Sequence, residues 1–161
     1  MKTFATTVRA FLYMTGFVFV WGWVALQIRR FDPIVGGTLP SWMVVAGGIF
    51  MIAGGILALV CIGVFVIHGK GTAAPFDAPR EFVAVGPYCY VRNPMYIGGL
   101  TMLVGFGFFE LSISMVIFSA IWLLAAHCFV VFYEERTLEG RFGESYIAYK
   151  KRVNRWLPRL L

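Results

Sequence analysis

The stretch 80–96 gathers polar and aromatic side chains that could bind a small ligand, in a chain that is otherwise strongly apolar. Gly86-Pro87 predicts a turn. Asn93-Pro94 predicts the start of a helix, with Asn93 as its cap and Pro94 at the first helical position. Such a start directs free N–H groups and a positive dipole end outward, where an anionic group could bind. The same residues are equally typical of a capped membrane helix with a tyrosine at headgroup level.

A second cluster, His127 followed by Glu134 and Glu135, closes the last apolar stretch. His127 and Glu134 are seven residues apart, so they lie nearly in line on one face of a helix. Polar groups inside a membrane span are costly and are therefore candidates for function. A catalytic role and an interhelical hydrogen bond are both open for His127. Glu134 is predicted to bind a cationic group of a ligand, whereas Glu135 is interpreted as a solvated helix end.

The composition of the whole chain indicates a membrane protein. Of its 161 residues, 60% are hydrophobic and only 14% are charged, against about a quarter charged in soluble domains. In that setting the net charge of +6 is better explained by membrane topology and contact with anionic lipid than by nucleic-acid binding. The three cysteines, Cys61, Cys89 and Cys128, predict neither a disulfide framework nor a metal site.

Apolar runs long enough to cross a bilayer predict an all-α fold, an integral membrane bundle of about four transmembrane helices. If the apolar stretch 94–133 formed a single helix, that helix would be about twice as long as the hydrocarbon core is thick. We therefore expect a hairpin near Glu110. A single domain over residues 1–161 is predicted, with spans at about 10–28, 42–67, 94–109 and 111–133, a cytoplasmic loop at 68–93 and a cytoplasmic tail at 134–161.

The distribution of basic residues predicts the orientation. Of the 14 Lys and Arg residues, 12 fall on the side that holds both termini and 2, Arg29 and Arg30, fall on the other. Because cytoplasmic segments carry the excess of basic residues, both termini are expected in the cytoplasm, in a membrane of the bacterial inner-membrane type.

Two further patterns predict how parts of the bundle pack. Tyr146, Tyr149 and Val153 recur at helical spacing opposite a basic face, which favours a C-terminal interfacial amphipathic helix on an anionic leaflet. The second span carries Gly47, Gly48, Gly54 and Gly55, and small residues of this kind let helices approach closely in lipid.

Two motifs, GPYCYVRNPMY at 86–96 and EERTLEGRFGESYIAYKKRVNRWLP at 134–158, flank the predicted hairpin. Together and in this order they resemble the isoprenylcysteine carboxyl methyltransferase and phospholipid methyltransferase superfamily, whose members are membrane enzymes that use S-adenosylmethionine (SAM). The resemblance covers residues 80–158. It implies a SAM pocket enclosed by the loop before the hairpin, the hairpin itself and the tail.

The resemblance also assigns residues by position. The candidates for catalysis are Tyr96, in the first motif, and His127, in the second cluster. Asn93 stands in place of the usual histidine of the family, and Val130 stands where the eukaryotic prenylcysteine enzymes have a substrate-binding arginine. The positions implied to contact SAM are Arg80, Glu81, Phe82, Val83, Tyr88, Asn93, Pro94, Met95, Tyr96 and Glu134.

The expected function is therefore methyl transfer from SAM to a lipophilic acceptor at the cytoplasmic membrane interface, with membrane lipids as partners and no nucleic acid. The acceptor could be a phospholipid amine, an isoprenoid thiol or carboxylate, or a small thiol. Two alternatives are a sterol-reductase-like enzyme that uses NADPH and a non-catalytic membrane subunit that keeps the fold.

Overall fold

Helices make up every long element of residues 2–69 and 82–159, the ranges that this computed structural model describes. Within those ranges there is no strand, only an isolated bridge between Val91 and Asn154. The predicted all-α fold is thus confirmed. The α-helices are α1 Lys2–Arg29, α2 Asp32–Val35, α3 Met43–Val64, α4 Pro94–Phe109, α5 Ile113–Phe129, α6 Glu135–Phe142 and α7 Glu144–Arg152, with a 3-10 turn at Gly86–Cys89 and π-helical turns at Phe65–Gly69 and Val130–Glu134.

Three of the described helical segments are long and apolar enough to cross a membrane: Thr6–Arg29, Met43–Gly69 and Ile113–Phe142. The fourth apolar helix, α4, has 16 residues and is about 24 Å long at 1.5 Å per residue. It is shorter than an ordinary span but can cross where the flanking residues reach the interface. The chain is an integral membrane protein, and many large apolar side chains on the outside of its bundle are exposed for contact with lipid.

The closest helix contact joins α3 to α4 through glycines. A Cβ atom built on Gly54 would lie 2.5 Å from the carbonyl oxygen of Gly98, and one built on Gly47 would lie 2.6 Å from that of Gly105. Gly47 and Gly54 are seven residues apart in α3, and Gly98 and Gly105 are seven apart in α4. The two contacts therefore repeat along one face of each helix. Gly48 and Gly55 have no atom within 4 Å of such a Cβ, so only half of the predicted glycines pack between helices.

The turn between α4 and α5 lies at Glu110–Ser112, where the predicted hairpin reverses. Leu111 adopts φ 52°, and the Ser112 side chain caps α5 by accepting a hydrogen bond from the Met115 backbone at 3.2 Å. Asp32 accepts hydrogen bonds from the Ser112 hydroxyl and the Ser114 backbone, at 3.0 and 2.9 Å. An ion pair between Arg29 and Glu110 also ties the end of α1 to this turn.

Both π-helical turns lie at the opposite end of the bundle from this hairpin, where α3 and α5 end and α4 begins. A π-helical turn places one extra residue in a helix, and such turns often mark functional sites. After the turn at Val130–Glu134 the helix continues as α6 to Phe142, and the chain reverses at Gly143, which has φ 53°. The reversal brings α7 back towards the bundle end.

Candidate active site

A pocket of about 900 Å³, including its open mouth, lies at this end of the bundle. Four parts of the described chain enclose it: the end of α3, the segment before α4, the first turn of α4, and the end of α5 with the tail. Its lining consists of Phe65, Phe82, Val83, Tyr88, Arg92, Asn93, Tyr96, Phe129, Val130, Tyr133, Glu134, Glu135, Thr137, Leu138, Phe142, Tyr146 and Tyr149.

Glu134 and Tyr96 form a polar pair in the pocket wall. The Tyr96 hydroxyl, in the first turn of α4, donates a hydrogen bond of 2.8 Å to Oε2 of Glu134, in the π-helical turn. No Lys or Arg of the described ranges forms an ion pair with Glu134, in contrast to its neighbour Glu135. The Glu134 carboxylate is thus available to a cationic group of a ligand.

Glu135 is buried, with 5% of its surface exposed, and it joins three cations. Its carboxylate lies 2.7 Å from Nε of Arg155, 3.2 Å from Nζ of Lys150 and 3.2 Å from Nη1 of Arg92. The interpretation of Glu135 as a solvated helix end is therefore wrong. The helix does not end in solvent there, because the reversal after α6 returns the tail onto this residue.

Backbone and side-chain contacts tie the tail to the segment before α4. The Tyr149 hydroxyl donates to the Tyr88 carbonyl at 2.6 Å, and the Arg92 backbone donates to the Asn154 carbonyl at 2.9 Å. Tyr146, Tyr149 and Val153 are buried together against partly buried apolar residues that include Phe82. The apolar face of the predicted amphipathic helix therefore packs on the protein and forms one wall of the pocket.

Burial and nearby charges set the ionisation of the pocket tyrosines and of Arg155. Burial raises the pKa of Tyr88 well above its ordinary value, and it also raises the pKa values of Tyr146 and Tyr149. These phenols are therefore neutral and serve as aromatic and hydrogen-bonding walls. The hydrogen bond to Glu135 raises the pKa of Arg155, whose guanidinium is charged at neutral pH even without that shift.

The segment before α4 contributes residues that the resemblance singled out. Phe82, Val83 and Tyr88 line the pocket. Met95 instead packs against the apolar cluster of Cys61, Val83 and Tyr88 and is not among the lining residues. The predicted contacts at Arg80 and Glu81 lie outside the described residues.

Pro94 occupies the first turn of α4 as predicted, and its side chain is fully buried. Asn93 lines the pocket, but its side chain makes no capping hydrogen bond. Asn93 is thus the N-cap residue of α4 as predicted, but the side-chain hydrogen bond that usually accompanies a cap is absent. Its amide donates instead to the Arg155 carbonyl at 3.2 Å, because the returning tail passes beside the start of α4.

His127 does not line the pocket. Its Nδ1 atom accepts a hydrogen bond of 2.9 Å from the indole of Trp156 in the tail. The Trp156 ring in turn packs edge-on against Tyr96, with 6.3 Å between centroids. The hydrogen bond expected of His127 is present, but its partner Trp156 lies in the tail after α7 and not on another helix. Through Trp156, His127 reaches the pocket only indirectly.

Sequence reasoning did not single out Arg92, Tyr146, Tyr149 or Trp156 as site residues. The helical spacing of Tyr146 and Tyr149 indicated a buried face, but not which surface would cover it. Arg92 stands immediately before the Asn-Pro pair. That position could have identified it as a charged group near the predicted anion-binding helix start.

A family model described as phospholipid methyltransferase matches residues 42–145. A search of curated proteins found no match, and neither did a search of solved structures. The matched range runs from the start of α3 into α7 and includes most of the pocket lining. Since it covers well over half of the 161 residues, the chain belongs to the phospholipid methyltransferase family.

Proposed function

We propose that this protein is a SAM-dependent methyltransferase that acts on a lipophilic acceptor at the cytoplasmic membrane interface. The observation that carries the proposal is the position of the Glu134–Tyr96 pair. It lies in a pocket whose walls combine ends of membrane-spanning helices with a tail made of polar and aromatic residues. Such a pocket can hold a water-soluble cofactor and a membrane-bound acceptor side by side.

The residues of the pocket fit SAM by their chemistry. Glu134 offers a carboxylate without a cationic partner in the described ranges, which suits the amino group of SAM. Aromatic side chains, among them Phe82 and Tyr146, can pack against an adenine ring or a sulfonium. We assign Tyr96 to positioning the Glu134 carboxylate, and we retain it as a candidate for contact with the reacting groups.

When bound, SAM would supply an electrophilic methyl group: the acceptor lone pair would bond to the methyl carbon as the carbon–sulfur bond breaks, and the sulfonium would become a neutral thioether. The protein then has to align the acceptor with that methyl group and exclude water, which can lower the barrier by about 7–11 kcal/mol at most. A protonated amine acceptor must first lose a proton.

The lipid-facing part of the pocket supports a lipophilic acceptor. Phe65, Phe129 and Tyr133 line it from the ends of α3 and α5. Val130, 1% exposed, also lines it and supplies no charge for a carboxylate. This favours an amine or thiol acceptor over a carboxylate. The charge asymmetry supports a cytoplasmic pocket in a membrane of the bacterial inner-membrane type, since 12 of the 14 basic residues lie on that side.

The two alternative functions receive less support. The family match is to methyltransferases, which does not favour a reductase. A non-catalytic subunit would have no need to keep the hydrogen bond between Tyr96 and Glu134 in the wall of a pocket.

Calorimetric titration of SAM into the detergent-purified protein tests the proposal. We expect SAM to bind and Glu134→Gln to weaken that binding by about ten- to a hundredfold, because a hydrogen bond to a charged group is worth about 1.5–3 kcal/mol. Glu144→Gln is the matched control. Glu144 begins α7, is exposed and does not line the pocket, so its removal should leave affinity unchanged.

NADPH serves as the competing ligand in the same titration. Binding of NADPH without binding of SAM would replace the proposal with a reductase. Binding of neither ligand would favour the non-catalytic subunit. Extraction of labelled methyl groups into the lipid phase, with SAM as the donor, then identifies the class of acceptor.

A further inference from the structure

Arg92 is a buried cation whose hydrogen-bonding groups are not all used. Its side chain is 9% exposed and lines the pocket. Its Nε and Nη1 atoms are buried and have no hydrogen-bond partner in the described part of the chain. Leaving a buried charged donor without a partner is costly. The unused N–H groups therefore indicate a ligand atom that accepts them.

The ion cluster next to Arg92 does not neutralise it fully. Nη1 of Arg92 lies 3.2 Å from a Glu135 oxygen, close enough for attraction but without the geometry of a hydrogen bond. Glu135 is shared with Arg155 and Lys150, and Lys150 also pairs with Glu139. Three cations thus face two carboxylates within this cluster, and Glu134 supplies a third carboxylate in the same pocket. Once Glu134 pairs with the amino group of the ligand, as the proposed function has it, an anionic ligand group would balance the positive charge of the cluster.

The position of Arg92 favours the cofactor as the source of this anion. Arg92 lies at the tail side of the pocket, close to Glu135 and to the tail residue Tyr146. The walls that face the membrane are formed by Phe65 and Phe129, at the ends of α3 and α5. A lipid acceptor enters from the membrane side, so the tail side is left for the water-soluble ligand.

We propose that Arg92 binds the carboxylate of the amino acid end of SAM, while Glu134 binds its amino group. The inference rests on the proposed function and names a second charged contact in the same pocket. A guanidinium matches a carboxylate with two parallel N–H donors. The neighbouring carboxylate Glu135 holds Arg92 in place without using all of those donors.

The test compares SAM with decarboxylated SAM, which lacks only the carboxylate, by calorimetry on the purified protein. We expect Arg92→Gln to weaken binding of SAM by about ten- to a hundredfold and to change binding of decarboxylated SAM by less than about threefold. Arg92→Lys, which keeps the charge and loses the planar fork, should fall between the parent and Arg92→Gln for SAM. If Arg92→Gln does not fold, Arg92→Lys takes its place in the comparison of the two ligands.

Arg155→Gln is the matched control, because Arg155 also pairs with Glu135 but is not among the pocket-lining residues. Its substitution should alter the affinities for both ligands by the same factor. If the Arg92 variants do the same, or leave both affinities unchanged, Arg92 has a structural role only and the inference is overturned. An unchanged SAM affinity with a raised KM for the lipid acceptor would also overturn it, in favour of a lipid phosphate. Absence of SAM binding in the parent would instead reject the proposed function itself.

Discussion

The glycine contact between α3 and α4 allows a quantitative test of the fold that positions the pocket. Gly54 and Gly55 are neighbours in α3, yet a Cβ atom on Gly54 would meet the Gly98 carbonyl oxygen at 2.5 Å, whereas one on Gly55 would have no atom within 4 Å. Substituting each by alanine makes the same chemical change on the same helix. Only the surface that the new methyl group faces differs.

The size of the effect follows from the distances. Ordinary contacts of a Cβ atom begin at 3.4 Å, so Gly54→Ala requires α4 to move by about 0.9 Å, and overpacking of this kind costs about 1–3 kcal/mol. Alanine also favours the helix by up to about 1 kcal/mol over glycine, but both variants share that gain. The free energies of unfolding should therefore differ by about 1–3 kcal/mol, with Gly54→Ala the less stable.

Unfolding in mixed micelles, followed by helical circular dichroism as the denaturing detergent is increased, measures this difference. Equal slopes for the two variants would show that the unfolding transition itself is unchanged. The shift should also reach the pocket, because Gly98 lies two residues after Tyr96 in α4. Gly54→Ala should therefore weaken SAM binding as well. If Gly54→Ala is as stable as Gly55→Ala, the two helices do not approach as closely as described, and the reasoning fails.

Three further predictions concern the tail and the orientation. A reporter fused to the C-terminus should be active in the cytoplasm, and activity on the far side would contradict the predicted topology. Replacing the exposed Lys151 and Arg152 by Gln should reduce activity more in anionic than in zwitterionic vesicles, since each charge contributes about 1 kcal/mol of attraction to anionic lipid; equal losses would argue against membrane attraction. Glu135→Gln should lower the free energy of unfolding by about 1.5–3 kcal/mol, because three cations lose a charged partner. In the same thermal unfolding experiment, substitution of the exposed Glu144 by Gln should change that free energy by less than about 0.5 kcal/mol. Similar stabilities of these two variants would contradict the cluster.

Much of the fold could be predicted from the sequence because the signals for it are local. A long apolar run predicts a helix in the membrane by its own composition, and the hairpin at Glu110–Ser112 follows from a polar interruption in a stretch too long for one crossing. Pro94 at the first turn of α4 is equally local, since its ring fixes the backbone angle of a helix start. The two motifs and their order around the hairpin indicated the superfamily that includes the phospholipid methyltransferase family, whose model matches this chain.

The site depended on contacts between distant parts of the chain. Sequence spacing placed Glu134 and Glu135 side by side, and both line the pocket. Only the returning tail shows that Glu135 is buried among Arg92, Lys150 and Arg155, whereas Glu134 accepts a hydrogen bond from Tyr96. The Asn93 amide likewise turns from its expected capping role to the Arg155 carbonyl, 62 residues away.

The glycines show the same division. Composition predicts that α3 packs closely against another helix, but it does not distinguish Gly54, which meets Gly98, from Gly55, which meets nothing. In a membrane both faces of a helix are apolar, so hydrophobicity does not mark the packed face as it does in water. Local sequence therefore determines where the helices of this protein form and end, whereas the tertiary packing determines which face of each helix meets its neighbour and which charged groups face the pocket.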